Sequence, residues 1–393
     1  MSTIEQPDTA RIEANAAAIA VNPVYENERL AELTHWGAPW ANLRVVVVGM
    51  GTSGDAVTDV LAQLGAKIVV IDGADTPEKR ERIDLYANAY GNVEGLFGPE
   101  HMRALPLVDG QEPELVVTSP GVRPDHPVML DAYERRIQIW GDVELAWRLN
   151  ERSDRLTPKW LCLTGTNGKT TTVGMVDSIL KAAGKKAIQV GNVGMPIVYA
   201  IADDEPYEFF AVELSSFQLH WTYSMSPYAS VVLNIAEDHV DWHGSFERYK
   251  ADKARVYEHT QVACIFNTDH VDTLRMVENA DVIEGARAIG FSSTEMPAVS
   301  MLGLAEDIMV DRAFLKNRYN EAYELAVLED LAPAPGKMPA KHTVENALAA
   351  AALCRAADID PKAVGAGLRS FKTGAHRNQL VGYANDILSL IHI

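Results

Sequence analysis

The segment T-G-T-N-G-K-T-T, Thr164 to Thr171, has the residue types of a loop that holds a phosphate chain. Backbone N–H groups of a glycine-rich turn at a helix N-terminus can surround phosphate oxygens, Lys169 can reach the β and γ phosphates, and Thr170 can ligate Mg2+. The loop is one residue shorter between its glycines than the G-x-x-x-x-G-K-[ST] pattern, and ATP or GTP is the ligand it predicts. A glycine turn with an incidental lysine is the plain alternative, but strand, loop, G-K-T and helix occur here together. Gly165, Thr166, Asn167, Gly168, Lys169, Thr170 and Thr171 are therefore the candidate nucleotide residues.

A second glycine turn, Gly49-x-Gly51-x-x-Gly54 with Asp72 at the next strand end, matches the dinucleotide fingerprint. The pattern alone leaves three readings open: a dinucleotide, the pyrophosphate of a UDP-sugar, or glycines that only let helix and strand approach. Ser119-Pro120-Gly121 ends a neighbouring strand and could complete the cradle. Glu213 ends another, where a carboxylate can hold Mg2+ directly or through water, although a lone acid there is ordinarily a solvated cap. The same logic applies to Glu237-Asp238-His239. His239 and His243 stand four apart, but Asp241, Trp242 and Gly244 around them predict a loop, not a zinc-binding helix. His239 beside oxygen ligands suits a second Mg2+ or Mn2+ position, and His243 receives no role. Tyr249, Lys253 and Tyr257 share one helical face, where the ordinary reading is a surface lysine stem between two rings.

The elements that must position these residues alternate strand and helix. Strands are expected at Arg44–Val48, Lys67–Ile71, Leu115–Thr118, Lys159–Leu163, Ala187–Val190, Phe209–Leu214, Ser230–Ile235 and Ala263–Asn267. Helices follow the two glycine turns, to Leu64 and Ala183, and others are expected at about Val344–Ala357 and at Pro361–Leu368. An α/β chain with parallel sheets wound by helices is the economical architecture: a Rossmann-like first domain and a phosphate-loop second domain. Asn150 to Pro158 reads as the linker between them.

Composition restricts the partners. At 393 residues the chain exceeds one ordinary core, since cores stop growing near roughly 250 to 300 residues. Against 54 Asp and Glu there are 35 Lys and Arg, a formal charge of -19 that repels nucleic acid and demands a local cradle for any anionic ligand. Cys162, Cys264 and Cys354 are an odd set without C-x-x-C spacing, which argues against a disulfide framework and for a reducing compartment. The acidic N-terminus lacks a signal-peptide pattern, and no apolar run reaches the roughly 18 to 20 residues of a membrane span. A soluble, cytoplasmic protein that engages no membrane is expected.

Read in order, GMGTSG, SPG, GDVEL, GTNGKTT, GNVG, ELSSFQL, NIAEDHVDWH, YKADKARVY, HTVENALAA and HRN resemble the Mur ligases over about residues 40 to 380. The resemblance implies ATP in the second domain, held by Gly168, Lys169 and Thr170, with Asn346 and Arg377 at the adenine nucleotide. It implies two Mg2+ ions held by Thr170, Glu213, His239 and a carbamylated Lys253, and so a catalytic set of Lys169, Glu213, His239 and Lys253. The first domain would take the UDP part of the substrate through Thr52, Ser53, Asp72, Ser119, Pro120 and Gly121. Asn192, Ser215 and Gln218 would face its muramoyl-alanine end.

Within that family HRNQL favours the member that joins D-glutamate to UDP-N-acetylmuramoyl-L-alanine in peptidoglycan precursor synthesis, through an acyl phosphate and as a monomer. Thr343 and Gly73 depart from the family pattern, and nothing after Arg377 matches its third domain. The resulting expectation is three units, 1–149, 150–374 and a stub at 375–393, in a chain that stops early. The alternatives are another amino-acid ligase of the superfamily, a fragment that binds ATP and UDP-sugar without catalysis, or an NAD-dependent oxidoreductase.

Overall fold

The computed structural model describes residues 23–334, 336–372, 377–384 and 387–392, the last two stretches by their backbone alone. The expectations for residues 1–22, Pro335, His376 and the Arg377 side chain therefore lie outside what is described.

Strands rich in Val and Ile build the first sheet: β1 (Arg44–Val48), β2 (Lys67–Asp72), β3 (Val93–Phe97), β4 (Leu115–Thr118) and β5 (Gln138–Gly141). Its order is β3-β2-β1-β4-β5 with every pair parallel. Both faces are covered, which is why β1 reads as an unbroken apolar run, RVVVV. The strand order reverses between β1 and β4, so their carboxyl ends open a crevice of the kind that receives ligands. Met50 to Gly54 and Ser119 to Gly121 sit at that crevice.

The second sheet holds β6 (Lys159–Thr164), β7 (Ala187–Gly191), β8 (Phe209–Glu213), β9 (Ala229–Val232), β10 (Ala263–Asn267), β11 (Arg287–Phe291), β12 (Met301–Ala305), β13 (Ile308–Asp311) and β14 (Tyr323–Val327). Its order is β14-β13-β12-β11-β10-β9-β6-β8-β7. The pairs from β7 through β12 are parallel, with β6 between β8 and β9 at a second reversal. A wholly parallel sheet was the simpler expectation, and β12, β13 and β14 correct it by pairing antiparallel. The β12–β13 turn at Glu306-Asp307 places Glu306 at φ 57 without a glycine to announce it. Residues 377–384 and 387–392 form the separate antiparallel pair β15 and β16.

Two further differences concern the site. The strand expected to reach Ile235 stops at Val232, because Asn234 turns to hold the phosphate loop: its carbonyl accepts from Thr166 N at 3.1 Å and its Oδ1 from Asn167 N at 2.9 Å. The segment expected as a loop around His239 contains one helical turn, Val240–His243, with His239 as its N-cap at φ 49.

One apolar core runs through the junction of the two sheets, with Trp147 and Trp160 edge to face at 5.1 Å. A second fills the space under helices Lys169–Ala182 and Lys341–Ala356. The alanines at 347 and 349–352 of the latter are fully buried, and their small size lets that helix lie close to its neighbours.

Candidate active site

β6 ends at Thr164, and the loop that follows must turn sharply to start helix Lys169–Ala182. Gly165 and Gly168 carry that turn at φ 158 and 85, and Gly168 is the helix N-cap with no side chain in the capping position. The first N–H groups of the helix, at Lys169, Thr170 and Thr171, thus have no helical carbonyl four residues back, the arrangement that lets a helix N-terminus accept a phosphate. Buried Asn346 lies against the loop, so close that a Cβ on Gly168 would stand 2.4 Å from its Oδ1. The predicted nucleotide residues from Gly165 to Thr171, with Asn346, are one contiguous surface.

Two cations converge on this loop. Lys169 donates to the carbonyls of Gly165 at 2.9 Å and Thr166 at 3.0 Å. Lys253, on helix Phe246–Ala254, donates to the same Gly165 carbonyl at 2.9 Å and to Thr164 Oγ1 at 3.2 Å. Lys253 is buried, contrary to the reading of a surface lysine, with its ammonium 4.9 Å from the centre of the Tyr249 ring. Burial, and then the charge of Lys169, bring its pKa from 10.5 down to about 7. Its amine therefore exists in large part neutral near physiological pH.

Glu213, at the end of β8, is buried; Oε1 accepts from Asn192 Nδ2 at 2.9 Å, and Oε2 has no partner. A buried carboxylate oxygen without a donor is costly unless a cation completes it. Among the described residues no group of three or more His, Cys, Asp and Glu side chains is arranged to hold a metal ion by itself. That donor set fits Mg2+, which keeps water and phosphate ligands and needs only one or two protein carboxylates.

His239 is half exposed, with its ring 4.8 Å from Phe217 and 6.4 Å from Tyr249. His243 turns the other way, into the core, and donates from Nδ1 to Asp252 at 2.7 Å. The two histidines do not converge, so no zinc pair forms.

In the first sheet, Ser119 Oγ donates to the Gly49 carbonyl at 3.0 Å, which joins the two predicted halves of the pyrophosphate cradle. Asp72 is committed to the turn itself: Oδ2 accepts from Met50 N at 2.7 Å and Oδ1 from Ala74 N at 2.8 Å, with Lys79 at 2.6 Å. Thr52 is exposed at the start of its helix, and Ser53 Oγ donates to Asp142 at 2.8 Å.

The residues expected at the far end of the substrate divide. Asn192 sits beside Glu213 and Ser215 caps helix Ser216–His220. Gln218 is buried, and its amide is spent between Ser215 N at 3.1 Å and Asp142 Oδ2 at 3.3 Å, so it holds the site together from behind.

Two family models match in the order of the two sheets: "Mur ligase MurD-like, N-terminal domain" over residues 43–141 and "Mur ligase middle domain" over 163–354. A relative from Leifsonia xyli subsp. xyli, named UDP-N-acetylmuramoylalanine--D-glutamate ligase, is 45% identical over 365 residues, covering 90% of this chain and 69% of the relative. The chain belongs to the Mur ligase family. A second Mur ligase of the same name, from Streptomyces avermitilis, is 46% identical over 359 residues, with 90% of this chain and 72% of the relative covered. Among solved structures, the Neisseria meningitides UDP-N-acetylmuramate:L-alanyl-gamma-D-glutamyl-meso-diaminopimelate ligase shares the fold, at TM-score 0.51 and 14% identity over 85% of this chain and 99% of that one.

Reasoning from the sequence assigned no role to Asp142, Glu144, His220, His243 or Asp252, all buried and polar. The sequence did carry a signal beside His220: S-x-x-Q at Ser215–Gln218 is a capping box that starts its helix, and both reciprocal bonds are present.

Proposed function

We propose that this Mur ligase joins D-glutamate to UDP-N-acetylmuramoyl-L-alanine at the expense of ATP, in peptidoglycan precursor synthesis. The observation that carries the ATP-dependent chemistry is the meeting of two lysines on the Gly165 carbonyl beside the unpartnered oxygen of Glu213. Positive charge gathered at a helix N-terminus is what a transferred phosphoryl group requires. The choice of D-glutamate rests on the relatives' names, at 45% and 46% identity.

In the proposed reaction a carboxylate oxygen of the muramoyl-alanine attacks the γ-phosphorus of ATP, and the bond to the ADP oxygen breaks. The D-glutamate amine then attacks the acyl carbon, loses a proton, and phosphate leaves as the amide forms. Residues 165–171 would hold the phosphates by backbone N–H groups, and Lys169 would leave the loop carbonyls to follow the γ-phosphate. Asn346 and Arg377 would meet the adenine nucleotide. Thr52, Ser53 and Ser119 to Gly121 would take the UDP, while Asp72 would shape the turn that receives it.

The neutral amine of Lys253 can add to the carbon of CO2 and lose a proton, which replaces one of two crowded cations by a carboxylate. Thr170, Glu213, His239 and this carbamate would hold two Mg2+ ions, which when bound supply charge neutralisation for the phosphates. Residues 1–149 would form the UDP-binding unit and 150–374 the ATP-binding unit.

The test is phosphate release from ATP in the presence of UDP-N-acetylmuramoyl-L-alanine. Release that depends on D-glutamate and yields the dipeptide product is expected; dependence on a different amino acid, or none, would overturn the assignment.

A further inference from the structure

Behind Lys253 lies a buried chain of polar side chains that the proposed reaction does not use. Asp252 accepts from His243 Nδ1 at 2.7 Å and, through both oxygens, from His220 Nδ1 at 3.0 Å. Arg255 Nε stands 3.6 Å from its Oδ1. On the other side of the ring, His243 Nε2 shares a hydrogen bond with the Ser216 hydroxyl at 3.0 Å. Burial raises the Asp252 carboxyl, and the bonds from the two imidazoles outweigh it, so the group is held in its ionised form.

The order Ser–His–Asp has the look of an activated nucleophile, but Ser216 is only 2% exposed. Rings of Phe217, Tyr249 and Trp242 enclose His243 at 5.6, 5.3 and 4.6 Å. No substrate carbonyl reaches that hydroxyl, so the chain of bonds is an internal tie.

What it ties is specific. Its members come from three helices of 5, 4 and 9 residues: Ser216–His220, Val240–His243 and Phe246–Ala254. Helices shorter than about 12 residues do not hold themselves in water, so their placement must come from tertiary bonds. Each also carries or adjoins one group assigned to the reacting centre: Ser215 precedes Ser216, His239 caps the turn that ends in His243, and Lys253 follows Asp252. We propose that Ser216, His243, Asp252 and His220 are a positioning unit that sets the spacing of Ser215, His239 and Lys253 in the ligase site.

This rests on the ligase reading, and the test separates the two. In Ser216→Ala and Asp252→Asn, both near in size to the parent, kcat for ligation is expected to fall roughly 10- to 100-fold, the cost of an ångström-scale misplacement. KM for ATP and the UDP-substrate should change less than kcat, since most of each cradle is backbone of the two glycine turns, which the four side chains do not bond. Ser216→Thr, which keeps the hydroxyl, should recover most of the rate. Folded variants with parental kcat would overturn the unit, as would equal losses in kcat and in substrate affinity.

Labelling with 13C-bicarbonate reports the carbamate separately: no signal in the parent together with the kcat loss removes the carbamate and keeps the unit. Should the parent show no D-glutamate-dependent turnover, amide exchange decides. Faster exchange confined to these three helices in both variants supports the unit, and unchanged exchange overturns it.

Discussion

At the scale of single residues, the glycine turn after β6 was legible because its backbone geometry admits only certain side chains. Gly168 illustrates this: at φ 85, and with Asn346 Oδ1 2.4 Å from any Cβ, no other residue fits. In Gly168→Ala the left-handed conformation alone costs roughly 1–2 kcal/mol, before the clash is counted. Calorimetric titration with ATP should show affinity lower by at least about tenfold. Lys253 was legible as a residue but not in its environment, since burial beside Lys169 depends on a strand 89 residues away. Its lowered pKa makes a signed prediction. The unfolded chain keeps the proton up to about 10.5 and the folded chain sheds it near 7, so between those values the unfolded state binds more protons and stability rises with pH. Urea unfolding in CO2-free buffer should therefore show a rise between pH 7 and about pH 10 that Lys253→Met reduces. An unchanged slope in that variant would mean that the lysine titrates as an exposed one.

At the scale of elements, strands and helices were read well where apolar runs met glycine turns, and their ends were read less well. β9 stops at Val232 because Asn234 is claimed by the loop after β6, an event that no periodicity within 230–235 records. The capping box at Ser215–Gln218 was written in four residues, yet the second partner of Gln218, Asp142, comes from another sheet. The turn after β1 gives a prediction at this scale. A Cβ on Gly54 would sit 1.9 Å from the Gly49 carbonyl oxygen, so the helix Thr52–Gln63 would be pushed from its strand. Gly54→Ala should destabilise the chain by roughly 1–3 kcal/mol, as overpacked cores do, and weaken UDP-sugar binding along with it. Denaturant midpoints and titration with the UDP-substrate check the two effects separately.

At the scale of the molecule, the two sheets act as one body because acids at the end of the first sheet accept donors from the second. Fully buried Glu144 takes hydrogen bonds from Tyr223 N, Ser224 N and Ser224 Oγ at 3.0, 2.9 and 2.6 Å, and from Arg148 at 2.8 Å. Asp142 joins Ser53, on the helix after β1, to Gln218 of helix Ser216–His220. Removing Glu144 takes the acceptor from two amides, the Ser224 hydroxyl and Arg148 Nε, so Glu144→Ala should cost roughly 3–5 kcal/mol and separate the unfolding of the two sheets. Calorimetry that still shows a single transition of parental height would refute that. The net charge of -19 says nothing of these seams, because few of the described carboxylates are buried. The sequence by itself determined the alternation of strand and helix and the two glycine turns, each encoded within a dozen or so neighbouring residues, and the family, encoded in the order of such short motifs along the chain. Only the tertiary structure decided which polar groups are buried together, how Lys253 loses its proton and which acids bind the sheets. Those properties depend on solvent exclusion and on distances between residues far apart in the chain.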